Sequence, residues 1–125
     1  MAKLAFVFPG QGSQEVGMLQ DVLAAGGANA EILQTTFAEA SAALGYDLWA
    51  LVQQGPEDQL NQTEFTQPAL LTASIVLWRL ASAAGLAKPD MLAGDSLGEY
   101  SALVAAGVID FVDAVRLVQQ RGRFM

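Results

Sequence analysis

Neither histidine nor cysteine occurs in this chain of 125 residues. The lack of cysteine excludes a disulfide framework, a thiolate nucleophile and any cysteine-ligated metal. Without histidine a zinc site is remote, no metal is expected, and the usual general base at neutral pH is missing. Positive charge is scarce: six Lys and Arg stand against thirteen Asp and Glu, for a net charge of -7. Only Arg116, Arg121 and Arg123 lie close together, so the clustered cations that bind phosphate backbones are not there and nucleic acid is not an expected partner. The acids are scattered along the chain, as on a solvated surface. Long apolar runs are lacking too. The longest, Ala69 to Leu77, is interrupted by Thr72 and Ser74 and falls short of the roughly eighteen residues a membrane span needs. At the N-terminus Lys3 precedes only Leu4-Ala5-Phe6-Val7-Phe8 before Pro9, which is no secretory signal. The expectation is a cytoplasmic protein with no membrane partner.

What is present is apolar and patterned. The chain is 53% hydrophobic and 15% charged, enough to build one core in one domain. Lys3 to Phe8, apolar on both faces and closed by Pro9-Gly10, reads as a buried strand, and Met91 to Gly94 as a second. Helical spacing predicts helices over Met18 to Ala25, Asn29 to Leu44 with Gly45 as its stop, and Leu48 to Gln54 capped by Asp47. Glu57 to Thr66 is polar and reads as a surface segment; Pro68 then opens a long helix to Ala84, apolar nearly all round. Leu97 to Ala106 and a last helix reaching Phe124, with Asp110 as N-cap, complete the pattern. Strands separated by helical segments predict an α/β fold with a short parallel sheet flanked by helices. Two strands are few for such a sheet, which points to a portion of a larger domain.

Gly94-Asp95-Ser96-Leu97-Gly98 lies between the second strand and the next helix. In such a GxSxG elbow, glycines two before and two after the serine relieve crowding in a sharp turn that lifts the hydroxyl clear. Ser96 is thus a candidate nucleophile, and the backbone N–H of Leu97, at a helix N-terminus, a candidate oxyanion donor. A second donor must converge on the same oxygen. Gln11, between Gly10 and Gly12 after the first strand, is in position to supply it. An ordinary tight turn has the same spacing, and a helix-end arginine such as Arg121 reads by itself as a surface charge in preference to a ligand.

Four segments in order, FPGQGSQ, TEFTQPALL, AGDSLGEYSALVAAG and RLVQQRGRFM, resemble the N-terminal part of the malonyl-CoA:acyl carrier protein transacylases of fatty acid synthesis. The resemblance covers Lys3 to Met125 and extends more distantly to acyltransferase domains of polyketide and animal-type fatty acid synthases. It implies an acyltransferase with a ping-pong reaction in which a serine takes malonyl from coenzyme A as an ester and hands it to the phosphopantetheine thiol of acyl carrier protein. It assigns Ser96 as nucleophile, Gln11 and Leu97 as oxyanion-hole donors, Gly94 and Gly98 as elbow glycines, and Arg121 as the arginine that grips the malonyl carboxylate. Malonyl-CoA and acyl carrier protein are the implied partners; the coenzyme A thioester is substrate, and no cofactor is bound. Leu97 after the serine resembles malonyl-selecting members.

The same resemblance places residues 1–125 in the first portion of an α/β-hydrolase-like large subdomain, without the ferredoxin-like small subdomain. The family's general-base histidine, which lies in its later half, is not among these residues. Asp95 stands where the family usually has histidine. Two other readings stay open: a noncatalytic fragment or interaction module, and a serine esterase of the α/β-hydrolase type.

Overall fold

In a computed structural model, the described residues are 16–85 and 97–124, together with the backbone of 5–8 and 91–94. In chain order they form strand β1 (Ala5–Phe8), helices α1 (Gln20–Ala25), α2 (Gly27–Leu44), α3 (Leu48–Gln54), α4 (Glu57–Leu60) and α5 (Thr63–Ala83), strand β2 (Met91–Gly94), and helices α6 (Leu97–Ala105) and α7 (Phe111–Arg123).

The expected fold class is corrected by this architecture. Helix on helix, not a sheet flanked by helices, organises the described residues. Their β structure is confined to two strands of four residues each, too narrow a ladder to serve as a layer. The physical reason lies in α5, where every residue from Thr66 to Val76 is buried. A helix apolar all round must be enclosed, and α2, α6 and α7 pack around it. Leu33 and Phe37 of α2, Leu71 and Ile75 of α5, Leu97 of α6 and Val115 and Val118 of α7 form one cluster. The two strands pair in parallel, Ala5 beside Met91 through Phe8 beside Gly94, so their carboxyl ends lie side by side.

Local chemistry sets the helix ends. The N–H of Gly45, at φ 84°, reaches back to the Ser41 carbonyl at 2.9 Å and stops α2. The Asp47 carboxylate accepts from the Ala50 N–H at 3.0 Å and starts α3. The first helix begins at Gln20, two residues later than the spacing predicts, because the preceding turn is tied to α3. Gly17 N–H bonds the Val52 carbonyl at 2.8 Å, and the Gln53 amide donates to the Met18 carbonyl at 2.9 Å.

The segment read as polar surface also differs. Glu57–Leu60 is a short helix, and α5 begins at Thr63, so Pro68 sits inside the helix instead of opening it. The Thr66 hydroxyl donates to the Leu60 and Gln62 carbonyls and draws the two helices together. Asp110 occupies the position before α7, but its side chain makes no capping hydrogen bond.

Arg79, on α5, ties three helices. It donates to the Thr36 hydroxyl at 2.9 Å and to both Glu39 oxygens at 3.4 and 3.3 Å on α2. Its guanidinium carbon lies 5.1 Å from the centroid of Phe111, the first residue of α7.

Candidate functional site

Of the residues assigned from sequence, the structure describes Leu97, Gly98, Arg121 and the backbone of Gly94. β2 ends at Gly94 and α6 begins at Leu97. Gln11, Asp95 and Ser96 lie outside the described residues. Leu97 is 1% exposed and belongs to the apolar cluster, so its side chain is spent on packing and only its backbone is available to a ligand. Gly98 is buried in the first turn of α6. The N-terminus of this nine-residue helix carries a partial positive charge from its unpaired amides.

Arg121 sits in the last turn of α7 and points inward. Its Nη1 donates to Oε1 of Gln67 at 2.9 Å, and Gln67 is fully buried on α5. Its guanidinium carbon stands over the ring of Tyr100, 5.7 Å from the centroid. Tyr100 lies one turn beyond Leu97, on the same face of α6. Thus α5, α6 and α7 each contribute one side chain to a cluster next to the helix N-terminus that follows β2.

The other two arginines of this segment behave differently. Arg116 is exposed, and Arg123 pairs with Glu64 at 3.3 Å on the surface. The surface-charge reading therefore fits Arg116 and Arg123 and does not describe Arg121.

What brings Arg121 so near α5 is its neighbour. Gly122 is buried, and a β-carbon there would stand 2.6 Å from the Glu64 Cα. The missing side chain lets two backbones meet. A planar fork held at one nitrogen by a buried amide and backed by an aromatic ring is suited to a carboxylate, which it matches with two parallel hydrogen bonds.

Among the described residues, no group of three or more His, Cys, Asp and Glu is placed to hold a metal ion. A cleft of about 590 Å³ between α2 and α3, lined by Phe37, Tyr46, Asp47 and Trp49, shares no residue with the Arg121 cluster. Gln67 and Tyr100 were not singled out from the sequence. A signal for Gln67 was there: a glutamine at the start of a helix apolar on every face has to be buried, and a buried amide needs a partner.

Residues 5–125 match the acyl transferase domain family. The chain belongs to that family. It is 65% identical over 125 residues to the malonyl CoA-acyl carrier protein transacylase of Salmonella typhimurium and 66% identical to that of Escherichia coli K12, in each case covering all of this chain and 39% of the relative. It is also similar to a crystal structure of an acyl carrier protein S-malonyltransferase from Vibrio cholerae, at 61% identity and TM-score 0.92 over 99% of this chain and 39% of that one. A further similar chain occurs in the solved structure of a type II PKS acyl-carrier protein in complex with its malonyl-transacylase, where the match has 59% identity and TM-score 0.92 and covers 98% of this chain and 38% of that one. This acyl transferase domain thus spans about two fifths of the length of the relatives it matches. No helix among its described residues is long and apolar enough to cross a membrane.

Proposed function

We propose that this acyl transferase domain moves a malonyl group from coenzyme A to the phosphopantetheine thiol of acyl carrier protein through an ester on Ser96, in fatty acid synthesis in the cytoplasm. The observation that carries this reading is Arg121, turned inward and held by the buried Gln67 beside the start of α6. An esterase has no use for a cation aimed at a substrate carboxylate; a malonyl transferase needs one. The names of the relatives support the same substrate pair.

In the first half-reaction the Ser96 oxygen attacks the thioester carbonyl and loses its proton. The tetrahedral oxyanion is met by the amides of Leu97 and Gln11, and the C–S bond breaks to release coenzyme A as its thiol. In the second, the carrier thiol attacks the ester, its proton is removed, and the serine hydroxyl is restored. Arg121 holds the distal carboxylate throughout both halves. One lost oxyanion donor costs about 2.7–4 kcal/mol in such chemistry. No cofactor beyond the coenzyme A thioester is required. Since the chain has no histidine, the base that takes the Ser96 proton comes from outside these residues. Acyl carrier proteins are acidic and this chain has net charge -7, so docking depends on local cations and not on overall attraction.

Intact mass after incubation with malonyl-CoA tests the reading. With the base outside these residues the chain alone is impaired, so slow formation of a malonyl adduct on Ser96 is expected, absent in S96A, and discharged by holo acyl carrier protein. No adduct after long exposure supports the noncatalytic alternative. Equal labelling by acetyl-CoA removes the role of Arg121 and favours an esterase.

A further inference from the structure

We propose that the cleft between α2 and α3 binds an organic ammonium ion, a cation with methyl groups in place of N–H donors, at a site separate from that of malonyl transfer. The cleft holds about 590 Å³, within the range of small-molecule sites. Three aromatic side chains, Phe37, Tyr46 and Trp49, line it together with Asp47. Aromatic rings beside a carboxylate are the chemistry that holds a quaternary ammonium, which has no hydrogen bond to donate.

Most polar groups around the cleft already have partners within the protein. The Ser41 hydroxyl accepts from the Leu48 N–H at 3.0 Å, and the Ser41 carbonyl from the Gly45 N–H at 2.9 Å. Oδ1 of Asp47 accepts from the Ala50 N–H at 3.0 Å. The charge of Asp47 is left over: the residue is exposed and forms no ion pair among the described residues, and no Lys or Arg is among those that line the cleft. The 18-residue helix α2 brings the negative end of its dipole to the same place, and its last turn has no basic side chain to offset it. The local field thus favours a cation. The Tyr46 hydroxyl is buried, so it is not the hydroxyl that Tyr46 presents to the cleft. Phe37 and Trp49 meet edge to face, with ring centroids 4.9 Å apart at 64°, an arrangement that covers a face of only one of the two rings. Ala38 and Ala42 complete the wall with short side chains that leave it open.

The test is an NMR titration of the full chain in which choline chloride replaces sodium chloride at fixed ionic strength. The chain has two tryptophans. The Trp49 indole N–H is assigned by its loss in W49F, and that of Trp78, which lines a different hollow, is the internal control. A saturable displacement of the Trp49 signal alone is expected, with a dissociation constant that is roughly millimolar. Neohexanol, the uncharged carbon isostere of choline, should bind at least about fivefold more weakly. D47N removes the charge and keeps an acceptor for the Ala50 N–H, since asparagine caps a helix as well as aspartate does; it should weaken choline binding about two- to fivefold. Equal binding of choline and neohexanol overturns the inference, as does unchanged affinity in D47N. Equal displacement of both indoles, or no saturation by about 50 mM choline, overturns it too. Cosedimentation with phosphatidylcholine vesicles separates the two sources of such a group: binding to vesicles as well as to choline assigns a lipid headgroup, binding to choline alone a free cation, and each supports the site.

Discussion

Gly122 and Glu64 meet backbone to backbone where α7 crosses α5: a β-carbon on Gly122 would lie 2.6 Å from the Glu64 Cα and 2.9 Å from its amide nitrogen. Neither neighbour is a flexible side-chain tip that can step aside. G122A is therefore expected to destabilise the fold by about 1–3 kcal/mol, the range for overpacking, and to move Arg121 away from Gln67. Urea denaturation with an unchanged slope checks the first part. A loss below about 0.5 kcal/mol, the size of an ordinary surface change, would show that the crossing is not so tight.

The Arg121–Gln67 hydrogen bond joins a charged donor to a fully buried acceptor, the stronger class of such bonds at about 1.5–3 kcal/mol. A double-mutant cycle with Q67L and R121M is expected to return a coupling energy in that range. Q67L keeps most of the side-chain volume, which separates the bond from the cavity that Q67A would leave. Additive losses from the two single changes would mean that the bond contributes nothing to the folded state.

Tyr46 predicts a response at high pH. Burial, with the nearby Glu64 charge adding and Arg123 opposing, pushes its phenol from 10.0 up to about 12. Folding thus favours the protonated form, so its contribution to stability is whole below pH 10 and is lost as pH rises toward 12. Midpoints of denaturation for wild type and Y46F should run parallel up to pH 10 and then separate, with Y46F less sensitive. At neutral pH Y46F is expected to be neutral or slightly stabilising, because the hydroxyl is buried without a hydrogen-bond partner among the described residues. Parallel curves to pH 12 would contradict the prediction.

The Arg79–Glu39 pair is about one third exposed on each side. E39Q is expected to cost about 0.3–1 kcal/mol at low ionic strength, and the difference from wild type should vanish near 1 M salt, where charges are screened within about 3 Å. Melting curves at two salt concentrations decide it. A cost that survives high salt would assign the effect to hydrogen-bond geometry instead of charge.

Much of the helical pattern was legible because the signals are local. Gly45 as a stop and Asp47 as a cap act through their own backbone and side chain, and α3 occupies the predicted residues. The start of α1 was not legible, since it depends on Gln53 and Val52 reaching across from α3. The start of α5 was misread for a similar reason: the Thr66 hydroxyl bonds that join it to α4 are invisible to polarity counting. Fold class failed on balance, not on pattern. Alternation of strands and helices suggests a sheet-centred layer, but among the described residues the enclosed α5, with helices packed around it, is the centre of the assembly, and the strands number two. At the site, family motifs brought out Arg121, whereas Gln67 and Tyr100 come into view only when α5, α6 and α7 are in place.

Leu97 carries a consequence for how a substitution there would act. With its side chain 1% exposed, any change there is judged first by the interior, and a bulkier or polar residue is felt as a loss of stability. The amide of Leu97, by contrast, is the same whatever side chain it carries, so the interior governs one half of this residue and leaves the other free of its demands.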